Sequence, residues 1–190
     1  SDGNLETTDK TTNQIQLGTG DFTVELWYRP KSVTSTWEAI ISKAYTTTGG
    51  WRLYKDASNG YLKWYSSTTL KATTTSAVLK NDTWTHIAVV RDDTTLNIYA
   101  DGVLAKSVSD TYNYTTSSAY EIEVGSGRSG SSWTGEGWIS DVRIVVGTPV
   151  YTGAFTPPTR PLTKTGGTYP STTNVNTSIT ASHTKLLLNL

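Results

Sequence analysis

From Gly20 to Pro30 the chain alternates with a period of two: Phe22, Val24, Leu26 and Tyr28 against Thr23, Glu25, Trp27 and Arg29. A pleated strand puts every second side chain on one face, and Pro30, without an N–H, stops it. Further strand runs are expected at short intervals, over residues 37–43, 50–54, 61–65, 83–92, 95–100, 103–107, 121–124, 138–146 and 185–190. Gly49-Gly50, Asn59-Gly60, Asn81-Asp82, Asp92-Asp93 and Asp101-Gly102 separate them. Asn59-Gly60 and Asp101-Gly102 are the strongest hairpin signals, because both dipeptides tolerate positive φ. No stretch of ten or more residues sustains the i, i+3, i+4 apolar pattern of a helix. Many short strands divided by turns mean an all-β, antiparallel sandwich or barrel.

Composition narrows the function classes. The 190 residues suit one domain, or one domain and a tail, and aromatics at 11% with a net charge of +0 argue against disorder. That balance gives no electrostatic footprint for nucleic acid or an anionic membrane, and no apolar run reaches the roughly 20 residues of a span. With Cys at 0, a disulfide scaffold, a Cys-ligated zinc and a thiol nucleophile are excluded. Met is also 0, so Ser1 is expected to begin a processed product or a piece of something longer.

Two segments do not read as strands. Gly125–Gly137 is a glycine-rich connection carrying Arg128, Trp133 and Glu136. Residues 157–182 form a tract of Thr, Ser, Gly, Asn and Pro that reads as too poor in apolar residues for core, so an extended surface path is expected. The apolar Leu186, Leu187, Leu188 and Leu190 then need burial, which implies a last strand returning to a sheet.

Five motifs in order carry a resemblance: Gly18 to Trp27, Thr83 to Arg91, Asn97 to Leu104, Glu123-Val-Gly-Ser126 and Gly137-Trp-Ile-Ser-Asp-Val-Arg-Ile144. Together they resemble the laminin G-like, concanavalin A-like domains, across roughly Gly3 to Leu162. The resemblance implies an antiparallel two-sheet jelly-roll sandwich over residues 1–162; the polar tract then reads as a surface tail over 163–184 and the apolar end as a terminal strand over 185–190. The continuation from Val145 to Pro161 is similar to the ending of such domains in structural proteins of tailed bacteriophages. It implies a virion protein on the particle surface, with other virion subunits as partners and a homo-oligomeric state. In that family a strand like Lys185–Leu190 usually opens the domain; closing it here, the strand is expected to pair near Asn4–Thr7 or with a neighbouring subunit, docking on the same sandwich or that subunit.

No catalytic constellation is found, and the chain reads as a non-enzyme. Related jelly-roll glucanases carry Glu-x-Asp-x-x-Glu on one strand, whereas Glu121-Ile-Glu123 supplies two acids and reads as an edge strand with Ile122 and Val124 inward. His86 reads as a core residue bonded locally, His183 as part of the polar tract. Asp56, Asp82, Asp92, Asp93, Asp101 and Asp141 lie in or near turns without a calcium-loop spacing, so no cofactor or metal is assigned and calcium is the one candidate. Asp141 and Arg143 share a strand parity and could pair. Trp27, Trp64 and Trp84 read as packing residues. Trp37, Tyr112, Tyr114, Arg128, Trp133 and Glu136 sit in polar loops and form the expected rim for a host-surface polysaccharide. Subunit contact is the alternative use of such side chains, in a capsid or tail decoration protein.

Overall fold

The computed structural model describes residues 5–6, 15–34, 37–44, 46–116, 120–125, 136–165 and 169–190. Among them there is no helix, and the fold is all-β. The strands are β1 (Leu5–Glu6), β2 (Phe22–Pro30), β3 (Glu38–Lys43), β4 (Trp51–Lys55), β5 (Leu62–Ser66), β6 (Thr69–Thr73), β7 (Thr85–Asp92), β8 (Thr95–Ala100), β9 (Val103–Ser109), β10 (Ile122–Val124), β11 (Gly137–Val146) and β12 (Thr184–Leu188). They make two antiparallel six-stranded sheets, ordered β1-β10-β3-β4-β5-β6 and β12-β11-β2-β7-β8-β9. Each expected run is present with its ends moved by a residue or two. Two strands have no counterpart in the periodicity: β1, which is two residues long, and β6, because Thr69-Leu-Lys-Ala-Thr73 is a short edge strand whose Leu70 faces solvent.

The contacts divide the chain into two units, one around each sheet. In the first, Trp51 and Trp64 stack with ring centroids 5.3 Å apart, and the Trp64 indole N–H donates to the Tyr114 hydroxyl at 3.0 Å. Lys55 and Glu38 form a fully buried pair at 3.4 Å on adjacent strands. The strand holding Glu123 is not an edge: β10 lies between β1 and β3, with Ile122 and Val124 buried as expected.

The second unit is organised by a polar core on one sheet face. Glu25 on β2, His86 on β7 and Arg143 on β11 are fully buried. Arg143 Nε donates to Glu25 Oε1 at 2.7 Å, the Tyr151 hydroxyl donates to Oε2 at 2.6 Å, and His86 Nε2 lies 3.2 Å from the same Oε2. Burial by itself would raise the Glu25 carboxyl, but the Arg143 charge and then the His86 and Tyr151 contacts hold it down to about 2. Burial likewise outranks every other influence on Tyr151, whose hydroxyl titrates well above its usual range.

This core reaches outward to the chain that covers it. Arg143 Nη1 donates to the Thr163 carbonyl at 3.0 Å, and Nη2 donates to the Tyr169 hydroxyl. The Val150 N–H donates to Thr23 Oγ1 at 2.9 Å. Val150, Tyr151, Phe155 and Ile179 close over Ala88, Val90, Tyr99 and Val145 as one apolar cluster, with Tyr169 and Val175 packed against it. The stretch expected to be a featureless tail therefore supplies core residues, Ile179 and Leu162 among them. Its polar side chains satisfy its own backbone: Asn176 Nδ2 donates to Thr148 Oγ1 at 2.7 Å and Asn174 Nδ2 to the Ala154 carbonyl at 2.6 Å.

The terminal strand β12 pairs with β11, Arg143 opposite Leu187. The pairing expected near Asn4–Thr7 is not the one found: β1 pairs with β10, Leu5 opposite Val124. At the hairpin between β8 and β9, Asp101 and Gly102 both have positive φ, +48° and +76°, as a two-residue type I′ turn requires. Gly102 also lies under the covering chain, where a Cβ would fall 1.8 Å from the Phe155 carbonyl oxygen.

Two outcomes follow from this construction. Glu25→Gln leaves the buried Arg143 charge uncompensated and should lower the unfolding free energy at pH 7 by about 3 to 5 kcal/mol in urea titrations. The folded-state carboxyl titrates below its ordinary value of 4.5, so its contribution is complete above that pH and fades as pH falls towards about 2. The gap between wild type and variant should narrow over that window. Gly102→Ala should cost more than about 2 kcal/mol, read as a lowered Tm, because both φ and the Phe155 carbonyl oppose it.

Candidate functional site

The face that carries the buried polar core does not stay covered. Two residues along β2 from Glu25 is Trp27, two before His86 is Trp84, and two before Arg143 is Asp141. With a period of two Trp27 and Trp84 share that face, and Asp141 lines the same opening, where the covering chain forms the far wall. A cleft of about 400 Å³ opens between Trp27, Trp84, Ser140 and Asp141 on one side and Pro158, Thr159, Arg160 and Pro161 on the other. That volume lies within the range of small-ligand sites.

Each wall has a cause. The Trp27 ring is set edge-on against buried His86, centroids 5.3 Å apart, which fixes its tilt. Trp84 precedes β7 and is 40% exposed, an unusual state for the largest apolar side chain unless something covers it. Asp141 has φ +50° inside β11, a left-handed conformation that costs a non-glycine residue about 1 kcal/mol or more. Its Oδ2 accepts from Ser140 Oγ at 3.0 Å, and it does not pair with Arg143, which is committed to Glu25. The shared parity of Asp141 and Arg143 thus did not make them partners, because the left-handed backbone at Asp141 interrupts the alternation. The opposite wall is anchored by Phe155, stacked on Tyr151 at 3.5 Å, and by buried Leu162.

The residues read from the sequence as a contact rim have individual settings in the structure. Trp37 is 37% exposed, edge-on to Tyr54 at 6.3 Å, with Lys63 Nζ 4.3 Å over its ring. Lys63 is in turn bound to Asp56 at 2.6 Å, which holds that carboxyl below its usual range against the opposing effect of burial. Tyr112 is half-buried, its hydroxyl accepting the Gly49 N–H at 3.0 Å. Tyr114 is fully buried beside it, so its ring is closed to any ligand. Glu136 is exposed and paired with exposed Lys31 at 3.2 Å. Arg128 and Trp133 lie outside the described residues. Of the three Trp read as packing residues, only Trp64 is buried; Trp27 and Trp84 line the cleft. The signals that would have found them are Trp27's parity with a strand carboxylate and the Pro-Pro-Thr-Arg-Pro run at 157–161.

Among the described residues no group of three or more His, Asp or Glu side chains could hold a metal. Asp82, Asp93 and Asp101 instead have positive φ in turns, and Asp101 Oδ1 accepts the His86 N–H at 2.9 Å. His86 therefore bonds to Glu25, 61 residues away, as well as to its own hairpin.

Two helix-free antiparallel six-stranded sheets define the concanavalin A-like, jelly-roll class. The chain belongs to the Laminin_G_3 family of the concanavalin A-like lectin/glucanases superfamily, which matches residues 2–149. The match stops short of the wall at 158–161. No curated protein sequence matches the chain. Solved structures share the fold. The CBM40 domain of a Ruminococcus gnavus IT-sialidase, bound to α2,3-sialyllactose, is 12% identical with a TM-score of 0.60, covering 78% of this chain and 91% of that one. Domain 4 of a GH43 extracellular arabinanase from Geobacillus stearothermophilus, in complex with arabinotriose, is 18% identical with a TM-score of 0.51, covering 70% and 62%. The binding domain of botulinum neurotoxin serotype D is 16% identical with a TM-score of 0.55, covering 76% of this chain and 37% of that one.

If the left-handed backbone at Asp141 is held by the surrounding strand, Asp141→Ala should be less stable than Asp141→Gly by about 1 kcal/mol in paired thermal melts, since only glycine adopts that φ freely.

Proposed function

We propose that this is a non-catalytic carbohydrate-binding domain whose ligand lies in the cleft between Trp27 and Trp84. The observation that carries the reading is the pair of indoles at an open cleft beside a carboxylate held in a strained backbone conformation. A pyranose has an apolar C–H face and a rim of hydroxyls. An indole ring offers the first a flat apolar partner, while Asp141, Ser140 and Thr159 offer hydrogen bonds to the second. Sugar-bound relatives of the same fold make this a familiar use of the scaffold.

The non-catalytic part rests on the cleft's acids. Hydrolysis of a glycosidic bond needs two carboxyl groups across the scissile bond, and among the described residues Asp141 is the one acid lining the cleft. Glu25 is buried and ion-paired on the same sheet, out of reach of a substrate. Display on a virus particle, against host-surface polysaccharide, is part of the same proposal. It is supported by the phage-like segment from Val145 to Pro161, whose last residues build the cleft wall. Many copies would raise a weak single-site affinity.

A decoration role through sheet edges keeps one supporting feature. The edge strand β9 exposes Val103 (67%) and Leu104 (49%). The terminal strand β12, which could have joined a neighbouring subunit, is paired with β11 of its own sheet.

On a broad glycan array, wild type should retain at least one saccharide, and Trp84→Ala should weaken it by tenfold or more without lowering the Tm. Retention of no glycan, or equal binding by the variant, would overturn the reading.

A further inference from the structure

We infer that the saccharide is acidic, and that Arg160 selects it by pairing with a sugar carboxylate. The inference rests on the cleft being a sugar site and goes beyond it by naming the ligand's charge.

Arg160 differs from the other described arginines. Arg29 is paired with Asp82 and lies 4.7 Å from the centroid of the Trp138 ring. Arg52 is held between Tyr54 and Tyr65, at 4.8 and 4.5 Å. Arg91 meets Asp110 at 3.5 Å and the Gly20 carbonyl, and Arg143 is locked to Glu25. Among the described residues Arg160 makes no hydrogen bond or ion pair, although it is exposed on the cleft wall.

Its backbone is nonetheless fixed. Pro157 and Pro158 before it and Pro161 after it restrict φ on both sides. Phe155 and Leu162 bury the two ends of the run, and the Arg143 guanidinium grips the Thr163 carbonyl just beyond. A cation on a stiff wall loses less freedom on binding than one on a mobile loop.

The cleft thus carries two opposite charges that do not pair with each other. Asp141 keeps one oxygen, Oδ1, uncommitted, and it can accept from sugar hydroxyls. Arg160 offers a planar fork whose N–H groups match the two oxygens of a carboxylate. A ring stacked on indole, with hydroxyls on one side and a carboxylate on the other, satisfies all three. A neutral sugar would leave the guanidinium unused.

The test is an array of saccharides in matched forms, free carboxylate and methyl ester, with sulfated sugars alongside. It is probed with wild type, Arg160→Gln, Arg160→Lys and Trp84→Ala. Wild type should prefer the carboxylate form by about ten- to hundredfold, as a charge-assisted bond gives, and the preference should shrink with added salt. Arg160→Gln should lose the preference but keep weak binding that still depends on Trp84, while Arg160→Lys should restore part of it. Equal retention of acid and ester, preference for sulfated sugars alone, or unchanged selectivity in Arg160→Gln would overturn the inference. In those cases loss of binding in Trp84→Ala leaves the sugar reading standing. Failure of every saccharide to bind wild type, or indifference to Trp84→Ala, would overturn both.

Discussion

The buried pair of Glu25 and Arg143 sets the terms for the second sheet. An unpaired carboxylate or guanidinium in an apolar interior costs several kcal/mol, so neither could be there alone. Together, with His86 and the Tyr151 hydroxyl on the carboxylate and the Thr163 carbonyl and Tyr169 hydroxyl on the guanidinium, nearly every lone pair and proton has a partner. Three strands and the covering chain meet at that point. The pair ties a polar segment to a sheet that apolar contacts alone would hold in a less definite register, because hydrogen bonds have direction and hydrophobic burial does not.

The cleft is a consequence of where that cover ends. The covering chain is pinned at Val150 and Tyr151, crosses above His86 through Phe155, and is pinned again at Thr163. Between Phe155 and Leu162 it is rich in proline and forms the far wall of a cleft, leaving Trp27, Trp84 and Asp141 to line the near one. One strand face therefore serves two purposes within two residues: a charged core under the cover, and an aromatic and polar surface beyond it.

Much of the framework was legible because its causes are local. The alternation from Phe22 to Tyr28 gave the strand and both of its faces, and Asp101-Gly102 gave a hairpin whose two positive φ values the structure contains. The site was not legible in the same way. Trp84 and Trp64 are alike as strand-associated tryptophans, yet one is exposed and the other buried, since exposure depends on what lies above the sheet. Tyr114 sits in a polar loop and still packs under Trp64. Asp141 is two residues from Arg143, but a partner 118 positions away in sequence claims the arginine.

Residue order alone settled the all-β class, the hairpin between β8 and β9 and the lack of a thiol, because periodicity, turn chemistry and composition are properties of single residues and near neighbours. Tertiary structure decided which polar side chains would be sealed, that the tract beyond Pro157 would help make core, and which tryptophans would face solvent. Those outcomes depend on segments more than a hundred residues apart meeting on one sheet, and burial, unlike strand propensity, belongs to the assembled fold.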